Sequence, residues 1–167
     1  MSGKLLTRCL CLLITVLVVS CYGDDINILT NPGFELGLTG WSGRNCTISA
    51  ESSIVHTGSG SAKAYNRTAT WQGIKQDILS DVISGETYQI SGWVRLENAA
   101  AGTVIVSVEQ TDGDGTHYHN INSATANNHG WVQLSGNFTY NPTGTASTLN
   151  VYFEGPPVDQ QQVQRAR

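Results

Sequence analysis

Short stretches rich in β-branched and aromatic residues run along nearly the whole chain, and almost none of it shows the apolar period of a helix. Clusters of Gly, Asn, Asp and Ser separate these stretches, a pattern typical of all-β sandwiches and barrels. The sequence therefore predicts an all-β fold in which two sheets pack face to face as a β-sandwich. The predicted strands are 26–29, 46–50, 62–66, 69–78, 87–96, 103–111, 116–123, 131–140 and 148–154.

The first 23 residues have the layout of a secretory signal peptide. Lys4 and Arg8 precede an apolar run at 10–19, and small residues follow it. The run is shorter than the roughly 20 residues that a membrane span needs. We predict cleavage after Gly23, a secreted extracellular protein with one domain at 24–157, and an irregular polar tail at 158–167. The alternative is a bacterial lipoprotein signal, in which Cys21 would carry lipid.

Charge and cysteine content exclude several classes of protein. Removal of the leader takes away Lys4, Arg8 and three cysteines, which leaves seven basic residues against thirteen acidic ones, a net charge of −6. Nucleic-acid binding needs a basic patch, so this class is excluded. Cys46 remains alone and closes no internal disulfide, and it is read as a small buried or shielded residue. We expect a monomer without membrane attachment after cleavage.

Successive side chains of a strand point to opposite faces of the sheet, which separates core residues from surface residues. In the stretch 148–154, the apolar residues 149, 151 and 153 point one way, while Tyr152 and Glu154 point the other. By the same rule Trp71 lies opposite Ile74, and Tyr118 lies opposite Ile121. These three rings are therefore predicted to lie off the core.

Rings on a sheet face favour sugar binding. Tyr and Trp combine a flat apolar ring with a polar group, which suits the C–H faces of sugars, and Glu154 supplies acceptors for sugar hydroxyls. Two other interpretations stay open: Trp71 as a core residue at a sheet edge, and Tyr152 and Glu154 as solvated residues. The remaining tryptophans, Trp41, Trp93 and Trp131, are assigned to packing.

Two shorter motifs carry weaker signals. Three sequons, at Asn45, Asn66 and Asn137, are candidate N-glycosylation sites in a secreted protein. The segment 112–115, Asp-Gly-Asp-Gly, lies between two predicted strands and is read as a hairpin turn, because the positions that follow lack the ligands of a calcium loop.

Seven motifs occur in the order found in CenC-like carbohydrate-binding modules, and the chain resembles family 22 most, the xylan-binding modules of family 10 xylanases. The motifs are Asn31-Pro32-Gly33-Phe34-Glu35, Gly40-Trp41, His56-Thr57-Gly58-Ser59, Asn66 through Gly73, Tyr88 through Leu96, Trp131 through Gly136, and Val151-Tyr152-Phe153-Glu154. The resemblance covers nearly the whole chain after the leader, but the end after Asp159 departs from it, as an altered or truncated last strand would.

The resemblance implies a β-jelly-roll whose concave face binds an extended β-1,4-linked polysaccharide, xylan or mixed-linkage glucan. The binding residues that it implies are Trp71, Tyr118, Tyr152, Glu154 and Arg44, with His117 or His119 as the alternative to Tyr118. It also implies a structural calcium ion, with Glu35 on one side of the site, since calcium prefers hard oxygen ligands.

Three functions are weighed on this basis. The first is a non-catalytic polysaccharide-binding module, derived from or part of a xylanase-type glycoside hydrolase. The second is an enzyme acting on glycosyl bonds, which needs two carboxylates about 5 to 10 Å apart; Glu109 is the candidate partner of Glu154. The third is a secreted lectin-like or adhesion protein.

Overall fold

A computed structural model of the 167-residue chain describes residues 12–20, 26–97 and 99–156 and shows ten strands in two five-stranded sheets. Every neighbouring pair of strands is antiparallel. The strands are β1 (Leu12–Ser20), β2 (Ser42–Arg44), β3 (Thr47–Glu51), β4 (Ser61–Tyr65), β5 (Gly73–Asp77), β6 (Thr87–Leu96), β7 (Gly102–Asp112), β8 (Gly115–Ala126), β9 (Val132–Thr139) and β10 (Thr148–Glu154). One turn of 3-10 helix, Leu79–Asp81, follows β5. The predicted all-β sandwich is confirmed.

The two sheets enclose one apolar core. The front sheet has the order β2-β5-β10-β7-β8, and the back sheet has the order β3-β4-β1-β6-β9. The alternation read from the sequence holds on β10, where Leu149, Val151 and Phe153 are fully buried in the core. The outer face of the front sheet carries the other set of side chains. The largest buried apolar residues include Phe34, Ile74, Ile78, Ile90, Leu96 and Leu134.

Two predicted strands differ from the structure because side chains take over the backbone hydrogen bonds. Residues 26–29 form no strand: the Asn27 carboxamide accepts from the Leu29 N–H at 3.1 Å. At the next residue the buried Gln76 side chain accepts from the Thr30 N–H (2.7 Å) and donates to its carbonyl (2.9 Å). The predicted strand 69–78 is shortened to β5, since the Gln72 carboxamide accepts from the N–H groups of Thr68 and Ala69 and closes a turn. The short strand β2 was not predicted.

The predicted division of the chain is not tested by the structure. Part of the predicted leader, residues 12–20, forms β1 of the back sheet. The polar tail at 158–167 lies outside the described residues. Across 12–20, 26–97 and 99–156, no helix is long and apolar enough to cross a membrane.

A bulge in β8 decides which of its side chains face outward. The register of β7 against β8 shifts between Val106 and Ser107, which pair with Asn122 and Asn120 and leave Ile121 as the extra residue. A bulge of this kind reverses the facing of the residues beyond it. Tyr118, before the bulge, therefore faces away from the core. Ala124, an even number of residues later but beyond the bulge, packs against the core.

Candidate functional site

A cavity of about 460 Å³ opens on the outer face of the front sheet. It gathers side chains from β2, β8, β10 and the turn before β5. Its lining residues are Arg44, Trp71, Tyr118, Asn120, Tyr152 and Glu154. All five residues that the family resemblance implies thus lie together, and Asn120 is the one that the sequence reasoning missed.

Strand register builds the floor of the cavity. Tyr152 on β10 pairs with Ser107 on β7, which pairs with Asn120 on β8. Since paired residues on neighbouring strands share a face, these three side chains form one row. One step along the strands, Glu109 pairs with Tyr118 and forms the next row. Asn120 was detectable in principle, because it lies two residues from Tyr118 on one strand.

Arg44 fills the middle of the cavity. Its guanidinium carbon lies 4.1 Å from the ring centre of Tyr152, 5.2 Å from that of Trp71 and 5.3 Å from that of Tyr118. Nη1 donates to the Trp71 carbonyl at 2.8 Å, and Nη2 pairs with Glu109 at 3.4 Å. Cation–π contacts and a half-buried ion pair therefore hold this side chain in place.

The three rings differ in how much they are exposed. Trp71 and Tyr118 are 41% and 58% exposed, whereas Tyr152 is only 2% exposed. Arg44 lies over the Tyr152 ring, so the expectation that all three rings stand open on the sheet face is wrong for this one. Tyr152 is absent from the core cluster that contains its neighbours on β10. It lies under the site and supports Arg44.

Trp71 stands on a turn and not on a strand as predicted. The guanidinium of Arg67, only 1% exposed, organises this turn by donating to backbone carbonyls around it. The acceptors are Thr70 (3.1 Å), Gln72 (2.6 Å), Gly155 (2.5 Å) and Pro156 (3.0 Å). Arg67 thus fixes the turn that carries Trp71 to the end of β10 that carries Glu154.

Gly73 makes room for this arrangement. It pairs with Arg44 on β2, and a Cβ atom built on it would lie 1.7 Å from the Phe153 carbonyl oxygen. No other residue fits against β10 at this point without moving the backbone, a case in which a strand needs glycine for close approach.

Glu154, Ser107 and Asn120 form a polar network at one end of the cavity. The fully buried Ser107 hydroxyl lies 2.6 Å from Glu154 Oε1 and 3.1 Å from the Asn120 carboxamide. The Ser107 hydroxyl has one hydrogen and two acceptors within reach, Glu154 Oε1 and Asn120 Oδ1, and the shorter contact is the one to Glu154. Each of these carboxylate and amide oxygens has a further lone pair, so Glu154 and the exposed Asn120 both keep capacity for hydrogen bonds to a ligand.

Burial and the nearby Glu154 carboxylate raise the pKa of Tyr152 to about 12, from an ordinary value of 10.0. The unfolded chain then loses this proton at lower pH than the folded chain, so stability is fully present below pH 10 and falls between pH 10 and 12. We expect the free energy of unfolding to drop by up to about 2 kcal/mol over this window, since a cavity that admits solvent weakens the full effect. Urea unfolding of wild type and Tyr152→Phe at pH 9 and pH 11.5 measures it. If wild type and Tyr152→Phe lose the same free energy of unfolding between pH 9 and pH 11.5, the loss comes from groups other than Tyr152.

Other predicted residues lie outside the cavity. His117 and His119 do not line it, and residues 112–115 form the predicted hairpin turn between β7 and β8. Trp41 is buried against Phe34, with ring centres 4.9 Å apart. Half-buried Trp93 stacks on His56 at 4.0 Å on the back sheet, and Trp131 meets the same histidine at 5.7 Å.

The carboxylate of Glu35 accepts hydrogen bonds from the backbone N–H and the hydroxyl of Ser59. In the part of the chain that the structure describes, no group of three or more His, Cys, Asp or Glu side chains is placed to hold a metal. These contacts do not assemble the oxygen cage that calcium needs. Calcium binding at Glu35 stays a prediction.

The sequence was compared with known proteins. The pattern of a family described as a carbohydrate-binding domain matches residues 26–160. The chain belongs to this family. It is 36% identical over 143 residues to endo-1,4-beta-xylanase 1 of Arabidopsis thaliana, and 32% identical over 130 residues to endo-1,4-beta-xylanase A of Thermotoga maritima. These matches cover 80% and 76% of this chain but only 15% and 12% of the two xylanases.

The fold agrees with solved carbohydrate-binding modules. The CBM22-1 xylan-binding domain of Paenibacillus barcinonensis Xyn10C superposes with a TM-score of 0.64 at 28% identity, covering 70% of this chain and 75% of that domain. The resemblance to family 22 is confirmed. The chain is a carbohydrate-binding domain, and it spans only a small part of the length of the xylanases that it matches.

Proposed function

We propose that this domain binds β-1,4-linked xylan in the front-sheet cavity without cleaving it. The observation that carries the proposal is the pairing of two exposed rings, Trp71 and Tyr118, with the polar network of Glu154 and Asn120 around one cavity. The rings contact sugar C–H faces, and the polar groups accept from hydroxyls at the sugar edge. Similarity to a xylan-binding domain and to two xylanases supports xylan over other polysaccharides.

A second cavity of about 440 Å³ borders the first at Glu154. Its lining includes Thr70, Gly102, Thr103 and Pro156, at the end of β10. Two cavities that share a wall favour an extended chain of several sugar units over a single sugar. Affinity is therefore expected to rise with the number of xylose units.

The positions of Glu109 and Glu154 support a non-catalytic role. Glu109 pairs with Asn150, four residues before Glu154 on β10, so the two glutamates do not lie side by side on neighbouring strands. Glu109 is also bound to Arg44 and Asn150, and Glu154 to Ser107. Glycoside hydrolysis needs two carboxylates that act on the bond between them as acid and as base or nucleophile, whereas Glu109 is engaged by Arg44 and Asn150.

Three further expectations complete the proposal. The protein is secreted after loss of its leader and acts as a monomer, and it carries glycans at one or more of its sequons. All three sequon asparagines are exposed. Asn137 lies on β9 of the back sheet, away from the cavity, whereas Asn45 adjoins Arg44. A glycan on Asn137 is therefore compatible with polysaccharide binding.

Titration calorimetry with xylan, mixed-linkage glucan and mannan tests the proposal. Xylan should bind most tightly, and Trp71→Ala should lower its affinity about tenfold, the loss of roughly one ring stacking contact. Ile83→Ala is the matched control, because Ile83 is 68% exposed and does not line the cavity. Equal xylan affinity for wild type and Trp71→Ala would contradict the assigned site, and the absence of binding to all three polysaccharides would favour a lectin-like role.

A further inference from the structure

One strand of the back sheet, β1, consists of residues that the sequence predicts to belong to the leader. Residues Leu12–Ser20 form β1 between β4 and β6. Against β6 the register runs from Leu12 opposite Leu96 to Ser20 opposite Tyr88. Against β4 it runs from Leu12 opposite Ala64 to Ile14 opposite Ala62. The same residues make up most of the apolar centre of the predicted signal peptide.

Without β1 the back sheet would be split. Neighbouring strands lie about 4.8 Å apart, so removal of β1 would leave a gap of about 10 Å between β4 and β6. Both flanking strands are antiparallel to β1 and therefore parallel to each other. Closing the gap would need a large movement and a different hydrogen-bond pattern.

The edges of this gap belong to the protein interior. Ala62 and Ala64 on β4, and Ile90 and Val94 on β6, are fully buried. Their strands already pair on the other side with β3 and β9. Backbone N–H and C=O groups left unpaired at a buried edge are destabilising, and water entering the gap would reach the core.

We propose that the space between β4 and β6 is a strand-acceptor site, and that its occupant is this chain's own segment Leu12–Ser20. The segment fills the site in cis while the leader is attached and rebinds as a separate peptide after cleavage. Its composition fits the role, since Ile14, Val16, Val18 and Val19 are β-branched residues that favour strands. A continuous apolar run is also the pattern of a strand buried on both faces. Leader removal is thereby coupled to the stability of the binding domain.

A nicked protein tests this directly. A protease site inserted between Cys21 and Asp25 of the full chain, produced without export, allows cleavage after folding. We expect the leader fragment to co-elute with the body on size exclusion and the melting temperature to stay unchanged. After separation in denaturant, the refolded body alone should melt at least 10 °C lower, and a synthetic peptide of residues 12–20 with added lysines should restore the value. Release of the fragment on cleavage with no change in melting temperature would overturn the proposal.

A proline variant of the intact chain gives a second readout. Leu13 pairs with Lys63 on one side and Arg95 on the other, so its N–H lies within a ladder whichever way it points. Leu13→Pro removes this donor and should lower the melting temperature by about 10 °C. Leu13→Val, which keeps the N–H and favours a strand, is the control and should leave the melting temperature close to that of wild type. Equal melting temperatures for the two variants would contradict a structural role for β1. Xylan affinity of the intact wild type is measured separately, so failure here leaves the binding proposal standing.

Discussion

Replacing Arg67 with methionine should lower the free energy of unfolding by about 3 to 5 kcal/mol. The guanidinium donates to four carbonyls, those of Thr70, Gln72, Gly155 and Pro156. Hydrogen bonds from a charged donor contribute about 1.5 to 3 kcal/mol each, but they share one side chain and do not add fully. Methionine leaves those acceptors without their donor in a region where Arg67 itself is 1% exposed. Urea unfolding followed by tryptophan fluorescence measures the change.

Arg95 provides the matched control for this substitution. It lies half-buried on β6 of the back sheet, and its Nη2 donates to the Asn128 carbonyl at 2.7 Å. Arg95→Met loses one such bond and should therefore cost only about 1.5 kcal/mol. Arg67→Lys, which keeps the charge but not the planar set of donors, should fall between the two. A loss below 1 kcal/mol for Arg67→Met would show that the turn before β5 is held without Arg67, by the Gln72 carboxamide and by the backbone hydrogen bonds to the Ala69 and Thr70 carbonyls.

The sequence predicted best where local alternation and burial agree. On β10 the parity of Leu149, Val151 and Phe153 against Tyr152 matches the structure, because this strand lies in the middle of its sheet and has no bulge. The facing of Tyr118 was predicted by comparing its parity with that of Ile121. This prediction was correct because Ile121 lies at the bulge and not beyond it. The same comparison with Ala124, which packs against the core, would have placed Tyr118 on the wrong face. Alternation therefore predicts facing only within an uninterrupted ladder.

The remaining features depend on contacts between residues distant in sequence. Arg44 covers Tyr152 from another strand, so parity gave the direction of this ring but not its exposure. The turn that carries Trp71 depends on Arg67 reaching residues 155 and 156, nearly ninety positions later. The strand at residues 12–20 was not predicted, since an apolar run gives no sign of which strands it would pair with. Side chains that span strands decide these details.

Glu154→Ala should weaken xylan binding about 10- to 100-fold while leaving stability close to that of wild type. A carboxylate that accepts from a sugar hydroxyl contributes about 1.5 to 3 kcal/mol when the site excludes water. The fold should tolerate the change, because Ser107 keeps its contact with Asn120 at 3.1 Å after the carboxylate is lost. Calorimetry measures the affinity, and thermal unfolding of the same samples measures the stability.

The neighbours of Glu154 separate a direct contact from an indirect one. Ser107→Ala removes the hydroxyl that holds Glu154 but leaves the carboxylate in the cavity, so we expect a loss of only two- to fivefold. Asn120→Ala removes one neutral acceptor at the same end of the cavity, with a loss of about fivefold for one hydrogen bond near 1 kcal/mol. If Glu154 contacts the sugar, the loss of xylan affinity for Glu154→Ala must exceed the losses for Ser107→Ala and Asn120→Ala. A loss for Ser107→Ala as large as that for Glu154→Ala would mean that the carboxylate acts by shaping the floor of the cavity, with the sugar held by Trp71, Tyr118 and Arg44.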